Sequence, residues 1–394
     1  MKRLLSLLVV ISVVFSFSGC NIQGTQGARE TLDIAQQDDR LDINEGLFED
    51  EEGFFAGAWL SYIELLPMSF DGKEKTYRSY IEEIGKKLEN NSVTDLFVQV
   101  RPFCDAIYPS ELSVSSTAVV GKQGERLPFD FLSVIIDEMK KKNINVHAWI
   151  NPLRVQNVFV LSKLSDENIA KKWYLEKSIN VKEAAGGLYL NPASSQVHTL
   201  LTDTVKELMR SYDLKGIHID DYFYPTDEVS FDDKEYASYK SKGGTLDLYS
   251  YRREVISTLV SALYSTVKTF GKDKIFSVSP SADIEKNQNV LFADVKRWSS
   301  EEGFCDMIIP QIYFGFENET KPFDETASLW RKMVANSSKL CIGLALYKEG
   351  KEDEFAGKGR NEWLESSDII TRQIECARKL GCDGICYYSV SYMN

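Results

Sequence analysis

The sequence predicts an α/β protein, a (β/α)8 TIM barrel over residues 53–394, on three observations. Eight short apolar, β-branched and aromatic runs recur from residue 54 to the end of the chain. Amphipathic stretches of helical period separate them. Such near-continuous apolar strands, alternating with helices, describe a parallel sheet covered on its faces. The sequence also lacks a Gly-rich phosphate turn, which favours a closed barrel over a doubly wound sheet.

The first run, Phe54–Tyr62, precedes a predicted helix over Thr76–Glu89; the second, Thr94–Arg101, precedes one over Phe131–Lys142. The third, Asn145–Ile150, leads into Val155–Gly187, a long helix-prone insertion expected over the barrel mouth. A helix over Gln196–Tyr212 brings the chain to the fourth run, Gly216–Asp220, and one over Arg252–Phe270 to the fifth, Lys274–Ser279. The sixth, seventh and eighth runs are Asp306–Tyr313, Leu340–Leu346 and Gly384–Ser389, with helices over Glu325–Ala335 and Ile369–Leu380 between them. The sequence stops at Asn394, so the usual final helix is expected to be missing. Either pre-barrel chain covers that flank or the outer ring is incomplete.

Lys2 and Arg3, the apolar run Leu4–Phe17 and Ser18-Gly19-Cys20 read as an export signal. The run is short for a membrane span. Its Gly-Cys ending resembles a bacterial lipobox, with Phe17 where Leu is usual, and the alternative is a plain secretory signal. The expected organisation is therefore a lipoprotein signal peptide over 1–19, lipid attachment at Cys20, a polar tether over 20–52 and the barrel over 53–394. The protein is expected at the cell membrane, lipid-anchored and facing the extracytoplasmic side. A formal net charge of −13 argues against a nucleic-acid partner, which requires clustered cations. Three dispersed histidines argue against a His-built metal site, and no cofactor is called for. The other six cysteines, most of them in apolar runs, are expected as buried thiols.

In such a barrel the C-terminal strand ends build the active site. Those positions carry Trp59, Gln99, Arg101, Asp105, His147, Trp149, Asn151, Arg154, His218, Asp220, Asp221, Tyr222, Gln311, Tyr313 and Tyr347. Asp220-Asp221 is the sharpest feature, because two acids close an apolar strand. Alternation allows only one of them to face the pocket unless the chain bends. A buried carboxyl beside another acid has a raised pKa, the condition for a general acid. His218, two residues earlier, could orient that acid or be a satisfied core histidine. Asn151 and Arg154 make His147 part of a polar pocket wall. Trp59, Trp149, Tyr222, Tyr313 and Tyr347 offer faces for sugar rings, and Gln99, Arg101, Asn151 and Gln311 offer hydrogen bonds to hydroxyl or acetamido groups.

At these residues the sequence resembles the glycosyl-hydrolase-like 10 family, also catalogued as domain of unknown function 187. The matching segments include Gln99-Val-Arg101-Pro, Asp105-Ala-Ile-Tyr108, His147-Ala-Trp149-Ile-Asn151-Pro, Leu190-Asn191-Pro192, His218-Ile-Asp220-Asp221-Tyr222 and Pro310-Gln311-Ile-Tyr313. The resemblance implies a TIM barrel, export or lipid anchoring, and hydrolysis of glycosidic bonds, best supported for peptidoglycan glycan strands. It places Asp220 and Asp221 at the family's acidic strand-four end, and Asp105, His147, Asn151 and Gln311 at its pocket positions. After strand five the family usually has Ser-Pro-Phe-Gly, where this chain has Ser279-Pro280-Ser281-Ala282. Strand four also loosely resembles that of family 18 chitinases, in which the substrate's acetamido group is the nucleophile.

The expected function is thus glycoside hydrolysis of a cell-wall or extracellular glycan by carboxylate chemistry. Asp220, Asp221 and Asp105 are the catalytic candidates, with Asp283, Glu64 and Glu317 as further sources of a second carboxyl. The competing reading is a catalytically inactive carbohydrate-binding lipoprotein on the same barrel. A deacetylase or amidase would call for a metal triad or a nucleophile–histidine arrangement.

Overall fold

A computed structural model of the protein describes residues 53–335 and 337–393. Eight parallel strands close the barrel: β1 Phe55–Leu60, β2 Asp95–Arg101, β3 Asn145–Ile150, β4 Gly216–Ile219, β5 Ile275–Val278, β6 Met307–Ile308, β7 Lys339–Ala345 and β8 Gly384–Tyr388. Each pairs with its sequence neighbours, and β1 closes on β8 with Phe55 opposite Gly384. Their side chains are almost continuously buried, as expected when both faces are covered. Helices α1 Glu74–Asn90, α2 Phe131–Lys140, α3 Ser195–Ser211, α4 Leu248–Lys268, α5 Phe323–Met333 and α6 Ile369–Lys379 pack apolar stripes outside the sheet. Acceptor side chains start three of them: Asp130, Ser194 and Asp247 take the N–H of Ser133, Val197 and Ser250.

Two local features fix the strand ends. At Gly216 a Cβ would lie 1.9 Å from the Ile275 carbonyl oxygen, so only glycine lets β4 approach β5 there. The sixth strand is shorter than its apolar run suggests. Pro310 has no N–H to extend the ladder, and beyond it only Gln311 makes isolated bridges, to Ser281 and Gly343.

The insertion after β3 differs from the helix-rich expectation. It holds a three-stranded antiparallel sheet, Arg154–Gln156, Gly187–Leu190 and Val181–Ala184, with one short helix, Ile169–Leu175. The turn residues Ala185-Gly186, both with positive φ, make the hairpin between the last two strands.

After β8 the described chain makes a 3-10 turn, Val390–Tyr392, and no further α-helix. Lys87 Nζ of α1 donates to the Met393 carbonyl at 2.7 Å, tying this last segment to the first helix. The proposed signal, Cys20 and tether lie outside the described residues, as does any pre-barrel cover of that flank. No described helix is long and apolar enough to cross a membrane. The six described cysteines are free thiols, five buried and Cys376 half-buried.

Candidate active site

Strand β4 ends at Ile219, and the chain bends at Asp221. The bend breaks the alternation, so both Asp220 and Asp221 line one cavity of about 440 Å³ at the C-terminal mouth of the barrel. Trp59, Gln99, Trp149, Arg154, Tyr222, Gln311, Tyr313 and Tyr347 line it as the sequence suggested. Sequence reasoning missed Tyr388, Ser389, Ser391 and Tyr392, which the end of β8 supplies, and Asn157 from the insertion. Applying the strand-end rule to β8 would have found Tyr388.

The aromatic wall is continuous. Tyr388 lies 6.1 Å from Trp59 and 5.9 Å from Tyr313, while Tyr347 meets both tyrosines nearly edge-on at 6.0 Å. Tyr222 is about half exposed at the rim. A wider depression of about 770 Å³ lies between the Ile169–Leu175 helix and the segment around Phe231. Two of its charges are already paired, Lys182 with Glu235 at 2.7 Å, and it contains none of the strand-end acids.

The two acids sit in different settings. Asp220 is almost fully buried, and Asn151 Nδ2 donates to its two oxygens at 3.3 and 3.2 Å. Burial, then the neighbouring charge of Asp221, raises its pKa to about 7. Arg154, the Trp149 indole edge and the Tyr222 N–H oppose that rise without cancelling it. Burial also raises Asp221, against the pull of Lys286, a hydrogen bond from Gln311 and Arg154. Two interacting carboxyls titrate as a unit, and burial of both favours a proton shared by the pair.

Glu64 is the third acid lining the cavity, and it is fully engaged. Its Oε2 accepts from Ser61 N–H at 3.0 Å and Ser61 Oγ at 2.6 Å. Its Oε1 accepts from Ser389 Oγ at 2.5 Å, Ser391 N–H at 2.8 Å and the Ser391 hydroxyl. This carboxylate is a clamp between the ends of β1 and β8 rather than a free base.

Seven residues taken as site candidates lie off the cavity, among them Glu317 and Asp283, which caps a short helix and pairs with Lys321. Asp105 is fully buried and accepts from Phe103 N–H at 3.0 Å and Gln123 Nε2 at 3.3 Å, because Cys104, in the left-handed region at φ 54°, turns the chain away from the barrel axis. Arg101 follows a register irregularity after Gln99 and points its guanidinium at the Asn151 carbonyl, 2.7 Å away. His147 binds Asp95 at 2.8 Å inside the barrel. His218 does not orient the acids. Its Nε2 accepts from Trp59 Nε1 at 3.0 Å, which leaves Nδ1 to donate to Ser277 Oγ at 2.8 Å. Burial, with His147 nearby, holds this imidazole neutral and far below its ordinary pKa, so it positions Trp59. Asn151 is buried too and acts on Asp220 rather than on a ligand.

The loop carrying Asp221 and Tyr222 is pinned from behind. Buried Arg252 on α4 holds buried Asp232 through Nη2 at 2.6 Å and Nε at 3.0 Å, and donates to the carbonyls of Asp227 and Glu228. Tyr224 completes the lock, donating to Asp232 at 2.7 Å. No group of three His, Cys, Asp or Glu that could hold a metal occurs among the described residues.

The arrangement therefore offers one proton on a carboxyl pair, at the base of an aromatic pocket. Glycosyl hydrolase YngK of Bacillus subtilis is 28% identical over 349 residues, covering 83% of this chain and 65% of that protein. Glycosyl hydrolase DigH of Escherichia coli is 29% identical over 292 residues, covering 68% of this chain and again 65% of the relative. The chain thus spans about 65% of the length of these relatives. In fold it resembles the PgaB (BpsB) glycoside hydrolase domain of Bordetella bronchiseptica, with a TM-score of 0.59 at 11% identity, over 86% of this chain and 95% of that one. An alpha-L-fucosidase of Paenibacillus thiaminolyticus is similar at a TM-score of 0.53 and 13% identity, over 85% of this chain and 46% of that one. The family profile matches residues 56–357, which include Asp220, Asp221 and the first seven barrel strands, and on that match this chain belongs to the glycosyl hydrolase-like 10 family.

Proposed function

We propose that this protein hydrolyses glycosidic bonds in a cell-wall or extracellular glycan, with peptidoglycan glycan strands as its substrate. The observation that carries the reading is the position of Asp220 and Asp221, adjacent in sequence and both lining an aromatic-walled cavity. Ring faces there suit the C–H surfaces of sugars. Residues 1–19 as an export signal and Cys20 as a lipid anchor would place the barrel at the outer side of the cell membrane, beside such a glycan.

With Glu64 engaged elsewhere, the chemistry falls to the adjacent pair, and the sugar's own acetamido group supplies the nucleophile, as in substrate-assisted glycosidases. Asp220, the acid raised to about 7, gives its proton to the leaving oxygen as the glycosidic bond breaks. The acetamido carbonyl oxygen bonds to the anomeric carbon, and the Asp221 carboxylate stabilises the positive charge that spreads onto the acetamido nitrogen. Water then attacks the anomeric carbon, loses its proton to Asp220, and the acetamido group is released.

The test is mass spectrometry of products after incubating the purified protein with peptidoglycan glycan strands, with and without stem peptides, and with a panel of other N-acetylhexosamine polymers. Shortened glycans carrying one added water per cleavage are expected. Intact polymers alongside measurable binding would support the inactive carbohydrate-binding reading instead.

A further inference from the structure

We infer that Arg154 recognises a carboxylate, so that the sugar seated in this cavity carries an acidic group; the inference rests on the glycan reading of the same site. Arg154 opens the first strand of the insertion, lines the cavity and is only 4% exposed. Its guanidinium lies between two rings, 4.5 Å from the centre of Phe103 and 4.3 Å from that of Tyr222. Its Nε donates to the Pro102 carbonyl at 3.3 Å. Two faces and one edge therefore fix the plane of the guanidinium before any ligand arrives.

Its terminal nitrogens, by contrast, hydrogen-bond to no described residue, and no described carboxylate forms an ion pair with it. The field of Arg154 lowers both Asp220 and Asp221, yet neither is its partner. A rigid planar fork with terminal N–H groups unengaged by described residues matches the two oxygens of a carboxylate. The indole N–H of Trp149, which lines the same cavity, is turned toward Asp220, and Ser279 Oγ is buried there without a partner. The arginine can only donate, so the ligand must bring acceptors. A hydroxyl or amide oxygen of a neutral sugar could accept from one terminal nitrogen; a carboxylate engages both together.

The experiment uses two short oligosaccharides of alternating N-acetylglucosamine and N-acetylmuramic acid. One has free lactyl carboxylates, and in the other they are capped as methylamides. Hydrolysis and calorimetric binding are measured for wild type, Arg154→Gln and Arg154→Lys, each checked for folding by thermal unfolding. Wild type is expected to prefer the free acid by roughly tenfold or more, as a charge-assisted fork implies. Arg154→Gln is expected to abolish that preference by raising KM on the acid more than on the amide, and Arg154→Lys to keep part of it. Equal losses on both compounds would show that Arg154 only tunes the aspartates, and the inference falls. Cleavage by wild type without preference also overturns it while leaving the hydrolase reading intact. Arg154-dependent preference in binding without any cleavage sinks the hydrolase reading and sustains this one. Absence of binding to either compound overturns both.

Discussion

Asp220→Asn is expected to lower kcat/KM on the glycan substrate by about 10²–10⁴-fold, the range that a positioned general acid contributes. The same variant should be more stable than wild type at alkaline pH. Its native-state pKa stands above the ordinary Asp value, so between about pH 4 and about pH 7 the folded protein binds more protons than the unfolded chain. Wild-type stability therefore falls as pH rises through that window, because folding must bury an increasingly ionised carboxyl. Asparagine keeps the shape and the contact with Asn151 while removing the charge. The measurements are initial rates and thermal unfolding midpoints at matched pH values. Loss of activity with a raised midpoint above neutrality separates a chemical role from a structural one. Asp221→Asn is expected to lose activity on the same scale, since it removes the charge opposite the developing cation. Full activity in both variants would contradict the assignment.

Arg252→Met is expected to destabilise the fold by about 3–5 kcal/mol, the cost of leaving a buried acid without its partner. Asp232 would lose every bond from the guanidinium and keep only the Tyr224 hydroxyl, while the Asp227 and Glu228 carbonyls lose their donors. Urea unfolding followed by circular dichroism gives the difference. The damage should also reach the cavity, since the segment pinned by Arg252 begins at Asp221 and Tyr222. Removing both charges together, as Asp232→Asn with Arg252→Met, should recover part of the stability. A single variant as stable as wild type would mean that the loop is held some other way.

The sequence made the barrel legible because its strands are continuous apolar runs, and the third was placed at its observed limits, Asn145–Ile150. What it could not convey was local backbone geometry. Alternation put Gln99 and Arg101 on one face, but the register irregularity between them sends Arg101 outward into the packing. The left-handed turn at Cys104 does the same to Asp105. Conversely, the bend after Ile219 gave the cavity two acids where regular pleating allows one. His147 and His218 were correctly placed inside the barrel, but inside there is a packed layer as well as a pocket. The insertion misled because its short strands carry no sustained alternation, while Ile169–Leu175 does read as helix. Tyr388 escaped notice although it ends an apolar strand like the others, and Glu64 was seen as a spare acid because two of its three serine partners, Ser389 and Ser391, lie more than three hundred residues away.

The pH dependence of the release of new reducing ends from purified glycan strands by wild-type protein tests the central claim most directly. The adjacent-acid account predicts cleavage at a rate that falls as pH rises through about 7, as Asp220 loses the proton it must donate. A rate that climbs steadily from about pH 5 to about pH 9, or no new reducing ends at any pH, would contradict it.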